Sequence, residues 1–250
     1  MERVTSRTNP LCAHIRKLNT SNPYRREQGQ FVGEGPKLLA EALRAGANVT
    51  VVVTAEGVNM DCPAGIRRVE VPADLLQSLC DTKTPQGVLF LCGLPDLRLP
   101  EELEGNRYLV LDGVQDPGNV GTVWRTADAF GADGLILLGG CADPFSPKVV
   151  RATMGAVFRL PVWQADAGIL GQRCAAAGLP LYATALREDT EDARKADLRR
   201  CAAVIGSEGR GVSEQVLSLC EMTLKIPMRE RCESLNAAVA AAVVLWEGWR

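Results

Sequence analysis

Histidine is nearly absent from this chain: His14 is the single one in 250 residues. Neither a Ser-His-Asp or Cys-His catalytic group nor a histidine-rich metal site fits that composition. The nine cysteines are odd in number and scattered singly, from Cys12 to Cys232, with no two at metal-ligand spacing. This pattern predicts no bound metal. It fits free thiols in a reducing, cytoplasmic compartment and speaks against a disulfide frame. Long apolar runs are missing too. The longest, residues 237–246, is too short to span a bilayer, so no membrane partner is expected. The first 30 residues are polar and basic, unlike a secretory leader. Net charge is small, at -2, so the chain as a whole exerts no pull on a polyanion. Internal repeats, low-complexity tracts and a G-K-[S/T] phosphate loop are also absent.

What is present is an ordinary globular composition, 46% apolar and 23% charged, long enough for one large domain or two modest ones. One local imbalance stands out. Arg3, Arg7, Arg16, Lys17, Arg25 and Arg26 face Glu2 alone within the first 26 residues. A solvated amphipathic helix face explains this, and so does a phosphate-contacting surface. An αβ pattern follows: a strand at 31–32, a helix at 36–45 with proline at its first turn, a β-branched strand at 49–53, a helix at 73–80 and a strand at 88–92. Residues 93–106, with Pro95, Pro100 and several acids, read as a linker. The expected domains are therefore 1–98 and 107–250. From Arg107 onward strands and helices alternate, which predicts a parallel sheet with helices on both faces. Expected strands lie at 108–111, 135–138, 159–162, 181–183, 202–205 and 223–226. Expected helices lie at 119–130, 147–154, 167–177, 213–219 and 235–249.

Three segments in this half place glycine-rich or proline-bearing turns at strand ends, where open α/β sheets bind ligands. In the first, DPGNVGTVWRTADAFGAD (Asp116 to Asp133), Asn119 is the expected N-cap. Arg125 lies off the apolar stripe of Val120, Val123, Trp124 and Ala127 and leans toward the bare backbone of Gly118 and Gly121. A guanidinium there suits a phosphate or carboxylate. The second segment, Gly206-Ser207-Glu208-Gly209-Arg210-Gly211, is spaced G-x-x-G-x-G and is not a dinucleotide loop. Its Glu208 carboxylate would repel a pyrophosphate but suits a cationic ligand such as the sulfonium of S-adenosylmethionine. The third segment runs from Ile226-Pro227-Met228 to Ser234-Leu235-Asn236, with Ser234 as the expected N-cap of an almost wholly apolar helix. That helix suits either a central core or a subunit interface.

Together these motifs resemble the SpoU family of RNA ribose 2′-O-methyltransferases, within the SPOUT superfamily. The N-x-G-x-x-x-R element is Asn119, Gly121 and Arg125. The G-x-E-G element is Gly206, Glu208 and Gly209, and the IPM…ESLN element is Ile226 to Met228 with Glu233 to Asn236. The resemblance covers about residues 107–250. More loosely, the N-terminal part resembles the family's smaller, L30e-like RNA-binding domain. What this implies is a parallel-sheet α/β fold with a C-terminal trefoil knot, a homodimer, S-adenosylmethionine as cofactor and RNA as partner, with large-subunit ribosomal RNA as substrate. The alternatives are a tRNA 2′-O-methyltransferase and a non-catalytic RNA-binding relative. By the same resemblance, Gly206, Glu208, Gly209, Ile226, Met228 and Leu235 hold the cofactor. Arg125, Asn119, Glu208, Ser234 and Asn236 line the catalytic site, with Arg125 reaching across the dimer. The family usually has glycine where this chain has Glu230.

Overall fold

The chain organises around two sheets, each with its own core. The computed structural model describes residues 2–185, 187, 190–229 and 234–249, and for Trp249 the backbone alone. Two units emerge: residues 1–95 with 145–158, and residues 96–144 with 159–250.

The first unit runs β1 (Glu2–Arg3), α1 (Pro10–Thr20), α2 (Asn22–Gln28), β2 (Gln30–Glu34), α3 (Pro36–Arg44), β3 (Val49–Ala55), β4 (Arg67–Val71), α4 (Ala73–Leu79) and β5 (Val88–Gly93). Its sheet is ordered β1-β4-β3-β5-β2. Pairing is parallel from β1 through β4 to β3 and antiparallel from β3 through β5 to β2. The β-branched run Val51, Val52 and Val53 makes β3 a buried central strand. Asn9 opens α1 by accepting the Leu11 N–H at 2.9 Å, with Pro10 pre-set at the first helical position. Gly33 is bare for a packing reason: a Cβ there would lie 2.2 Å from the Phe90 ring.

The second unit begins with β6 (Arg107–Asp112), α5 (Pro117–Ala129) and β7 (Gly134–Leu137). The chain then supplies α6 (Pro147–Ala152) and a 3₁₀ turn, Ala156–Phe158, to the first unit. Aromatic packing accounts for this, since Phe145 lies 4.9 Å from Phe31 and Phe158 6.4 Å from Phe90, centroid to centroid. The chain returns as β8 (Val162–Gln164), α7 (Ala167–Ala176), β9 (Leu181–Thr184), β10 (Glu191–Asp192), β11 (Cys201–Gly206), α8 (Glu214–Leu217), β12 (Met222–Lys225) and α9 (Ala237–Trp249). These seven strands form a sheet ordered β10-β12-β9-β11-β6-β7-β8, parallel at every pairing. Its central strands β6, β7 and β11 are apolar and buried almost end to end, as parallel strands covered on both faces are, whereas the edge strand β10 is the acidic pair Glu191–Asp192. The order reverses between β6 and β11, which makes that junction a topological switch point. The strand expected at 159–162 starts instead at Val162, where the register pairs Leu135 with Val162. Pro161 has no N–H to give the ladder and contributes only its carbonyl, to Leu135 N.

Candidate active site

The parallel strands all end at one edge of the second sheet, and a cavity of about 260 Å³ lies there. Its floor comes from the ends of β9, β11 and β12: Thr184 and Ala185, Ile205 and Gly206, Leu224 and Lys225. Ile226, Met228, Ser234 and Leu235 close one side, and the first turn of α9 closes another with Ala237 and Ala240. Small side chains on that helix leave room for a ligand. The walls are mostly apolar, and Glu208 and Lys225 are the charged residues of the lining.

The turn after β11 is built around absent side chains. Ser207 N donates to Gly211 O at 3.1 Å and Gly211 N to Ser207 O at 2.9 Å, closing a tight loop. Gly211 sits at φ 68°, a conformation glycine adopts freely. A Cβ on Gly206 would stand 2.1 Å from the Gly211 carbonyl carbon and 2.2 Å from Val212 N. Only glycine fits there. Gly209, expected to hold cofactor, is instead at the exposed tip with open space around it and does not line the cavity. Gly211 takes that place.

Three polar side chains join the separate segments across the switch point. Asn119 donates its Nδ2 to Glu208 Oε1, and Asn236 donates its Nδ2 to Asn119 Oδ1 at 3.1 Å. Both expected N-caps move by a few residues. Asp116, not Asn119, caps α5, accepting the Asn119 N–H at 2.9 Å, because Pro117 occupies the first helical position. Asn236, not Ser234, caps α9, its Oδ1 accepting the Ala238 N–H at 2.9 Å. The shift frees the Asn119 carboxamide to bridge Glu208 and Asn236. Ser234 remains an exposed part of the lining. Arg125 is exposed, lies outside the lining, and its side chain makes no hydrogen bond or ion pair among the described residues. Glu230 and Glu233, on which two expectations fall, lie outside the described residues.

Among the described cysteines, burial disfavours the thiolate. Burial pushes the Cys80, Cys92, Cys174 and Cys201 thiols up to about 12 and Cys220 up to about 11, so they stay protonated at neutral pH. Among the described residues, no group of three His, Cys, Asp or Glu side chains could hold a metal ion.

The N-terminal cations divide. Arg25 is 4% exposed and donates to the Leu18 carbonyl, so it braces α1 against α2 and is unavailable to RNA. Arg3 pairs with Glu56 at 2.8 Å and Arg7 with Asp74 at 2.7 Å. Arg16 donates to Arg7 O at 2.8 Å, Arg26 donates to Asn22 Oδ1 at 3.0 Å, and the Lys17 ammonium sits 5.4 Å above the Tyr24 ring. All five keep exposed or half-exposed side chains. Sequence reasoning missed Thr184, Ala185, Lys225, Ala237 and Ala240. The signal available for them was position at the end of a parallel strand or on the first turn of the helix that follows.

Comparison with known proteins agrees with this geometry. Residues 106–246 match the model of the SpoU rRNA Methylase family, and residues 9–89 match an MRM3-like substrate binding domain. The chain is 32% identical, over 98% of both sequences, to the 23S rRNA (guanosine(2553)-2′-O)-methyltransferase RlmP of Bacillus subtilis. It superposes with a TM-score of 0.88 on an AdoMet-bound rRNA methyltransferase from Sinorhizobium meliloti, at 33% identity, covering 99% of this chain and 97% of that one. The AdoMet complex of the SpoU methyltransferase AviRb from Streptomyces viridochromogenes gives a TM-score of 0.87 at 27% identity, covering 97% of each chain. A family match over more than half the chain, joined to a near full-length relative, places this protein in the SpoU rRNA methylase family.

Proposed function

We propose that this protein transfers a methyl group from S-adenosylmethionine to a ribose 2′-hydroxyl of ribosomal RNA of the large subunit. The observation that carries this reading is the cavity at the switch-point edge, floored by Gly206 and tied to Asn119 and Asn236 through Glu208. The residues present fit the cofactor. Apolar walls and a glycine cradle admit an adenosine face, and the Glu208 carboxylate at the mouth suits a positive sulfur. When bound, S-adenosylmethionine supplies an electrophilic methyl group. The chain's own residues bind, orient and stabilise. Asn119 and Asn236 fix the direction of the Glu208 carboxylate. The Arg125 guanidinium has five donors and no acceptor; it holds an RNA phosphate and stabilises negative charge as it develops on the ribose oxygen. The hydroxyl proton leaves to that phosphate.

The same reading assigns Arg125 to a neighbouring copy's site in a homodimer, since it stands clear of its own cavity. Support for a homodimer comes from the apolar groove between α5 and α9, where Thr122, Thr126, Val239, Ala242 and Trp246 face outward and Val239 is 50% exposed. A trefoil knot accords with α9 packing back against α5 and β11 after β12 has joined the far side of the sheet. The N-terminal unit would bind the RNA, using Arg3, Arg7, Arg16, Lys17 and Arg26, and the free thiols accord with a reducing cytoplasm. Tritium transfer from labelled S-adenosylmethionine to large-subunit rRNA, with mapping of the methylated ribose, tests the activity. Arg125→Ala should abolish transfer and leave cofactor affinity by calorimetry within about twofold; a large loss of cofactor binding would refute its assigned role.

A further inference from the structure

One exposed residue, Met154, holds a strained backbone conformation. Met154 is the only non-glycine residue with a positive φ among those described, at 50°, whereas glycines occupy all twelve other such positions. It follows Thr153, the C-cap of α6, and so holds the position where a helix normally places glycine. For a side chain with a Cβ, this left-handed conformation is strained. The surroundings impose it. Thr153 is fully buried and donates its Oγ1 to Val150 O at 2.7 Å, Met154 N donates to Arg151 O at 3.3 Å, and Ala156 N donates to Thr153 O at 3.1 Å.

A packing role would require burial, yet Met154 is 58% exposed, more than any other large apolar side chain described. A helix-stop role alone would be better served by glycine. The remaining role for this side chain is contact with something outside the chain. The cation Arg151, three residues earlier, is exposed at the end of α6 and places one guanidinium nitrogen 2.8 Å from Asp81. A polarisable thioether held out in one direction near a cation matches an unpaired nucleobase with its phosphate. Strained residues held by an over-determined backbone are found at such contact sites.

We propose that Met154 is a stacking platform for an unpaired base of the RNA substrate and helps select the RNA segment that is accepted. This rests on RNA being the substrate, as argued above. The test uses the full chain, an in vitro transcript of 23S-type rRNA, and the variants Met154→Gly, Met154→Gln and Met154→Leu. Met154→Gly relieves the strain and removes the platform. Its melting temperature should hold or rise, its Kd for the transcript should rise about two- to tenfold, and its cofactor affinity should not change. Met154→Gln keeps length and strain but not apolarity and should also weaken binding, whereas Met154→Leu should retain most of it. Unchanged transcript affinity in Met154→Gly, beside a wild type that transfers methyl groups, overturns the platform and leaves the proposed function standing. A fall in melting temperature points to packing, and a change in molecular mass points to a second copy covering the residue; either overturns it. A wild type that neither binds the transcript nor methylates it overturns both readings.

Discussion

At Gly206 the absence of one carbon shapes the cavity. A Cβ would stand within about 2.2 Å of the backbone at Gly211 and Val212, so Gly206→Ala must push the 207–211 turn away from the strand end. Overpacking of this kind costs roughly 1–3 kcal/mol. The variant should melt at a lower temperature and lose at least tenfold in calorimetric affinity for S-adenosylmethionine; wild-type affinity would show that the turn does not shape the site. Gly206, Glu208, Asn119 and Asn236 were legible in the sequence because each belongs to a spaced motif beside an apolar run. Arg25 was not. In sequence it is one of six N-terminal cations, and only the packing of α1 on α2 turns it into a buried brace. Met154 gave no sequence signal either, because its φ is set by the hydrogen bonds of its neighbours.

Among the elements, α9 shows how a cap and a site share one residue. Asn236 accepts the Ala238 N–H through its Oδ1 and offers its Nδ2 to Asn119, so one carboxamide starts the helix and holds the catalytic network. Two substitutions separate these duties. Asn236→Ala removes both and should destabilise the protein by about 1 kcal/mol. Asn236→Asp keeps the acceptor that caps the helix and loses the donor toward Asn119. It should melt close to wild type while methyl transfer falls; transfer at the wild-type rate would show that the network is dispensable. The helices and strands of the second half were readable from apolar periodicity, most starting within one residue of expectation, while α5 and α9 start two residues away and β8 three. Pro117 and Asn236 explain the caps, since either neighbouring polar residue could cap on pattern alone. The two-residue strands β1 and β10 are too short to leave any pattern, and β4 hides its alternation behind Arg67 and Arg68.

The whole molecule presents an apolar groove along α5 and α9 that a single copy leaves uncovered. Val239 and Trp246 are each about half exposed on it, and Phe130 packs edge-on against Trp246 at 5.9 Å. If a second copy covers this groove and delivers Arg125, Val239→Asp should convert a dimer to a monomer in light scattering, with methyl transfer lost and cofactor binding largely kept. An unchanged mass would place the interface elsewhere.

Residues adjacent in the chain determined the strand–helix alternation, the three turns and the chemistry they favour, because periodicity and turn preference act over a few residues. The order β10-β12-β9-β11-β6-β7-β8, the passage of residues 145–158 into the first unit, and the meeting of Asn119, Glu208 and Asn236 were decided only by the tertiary structure. Each joins segments far apart in the chain, 89 residues in the case of Asn119 and Glu208, and such partners are chosen by packing and burial that no local pattern encodes.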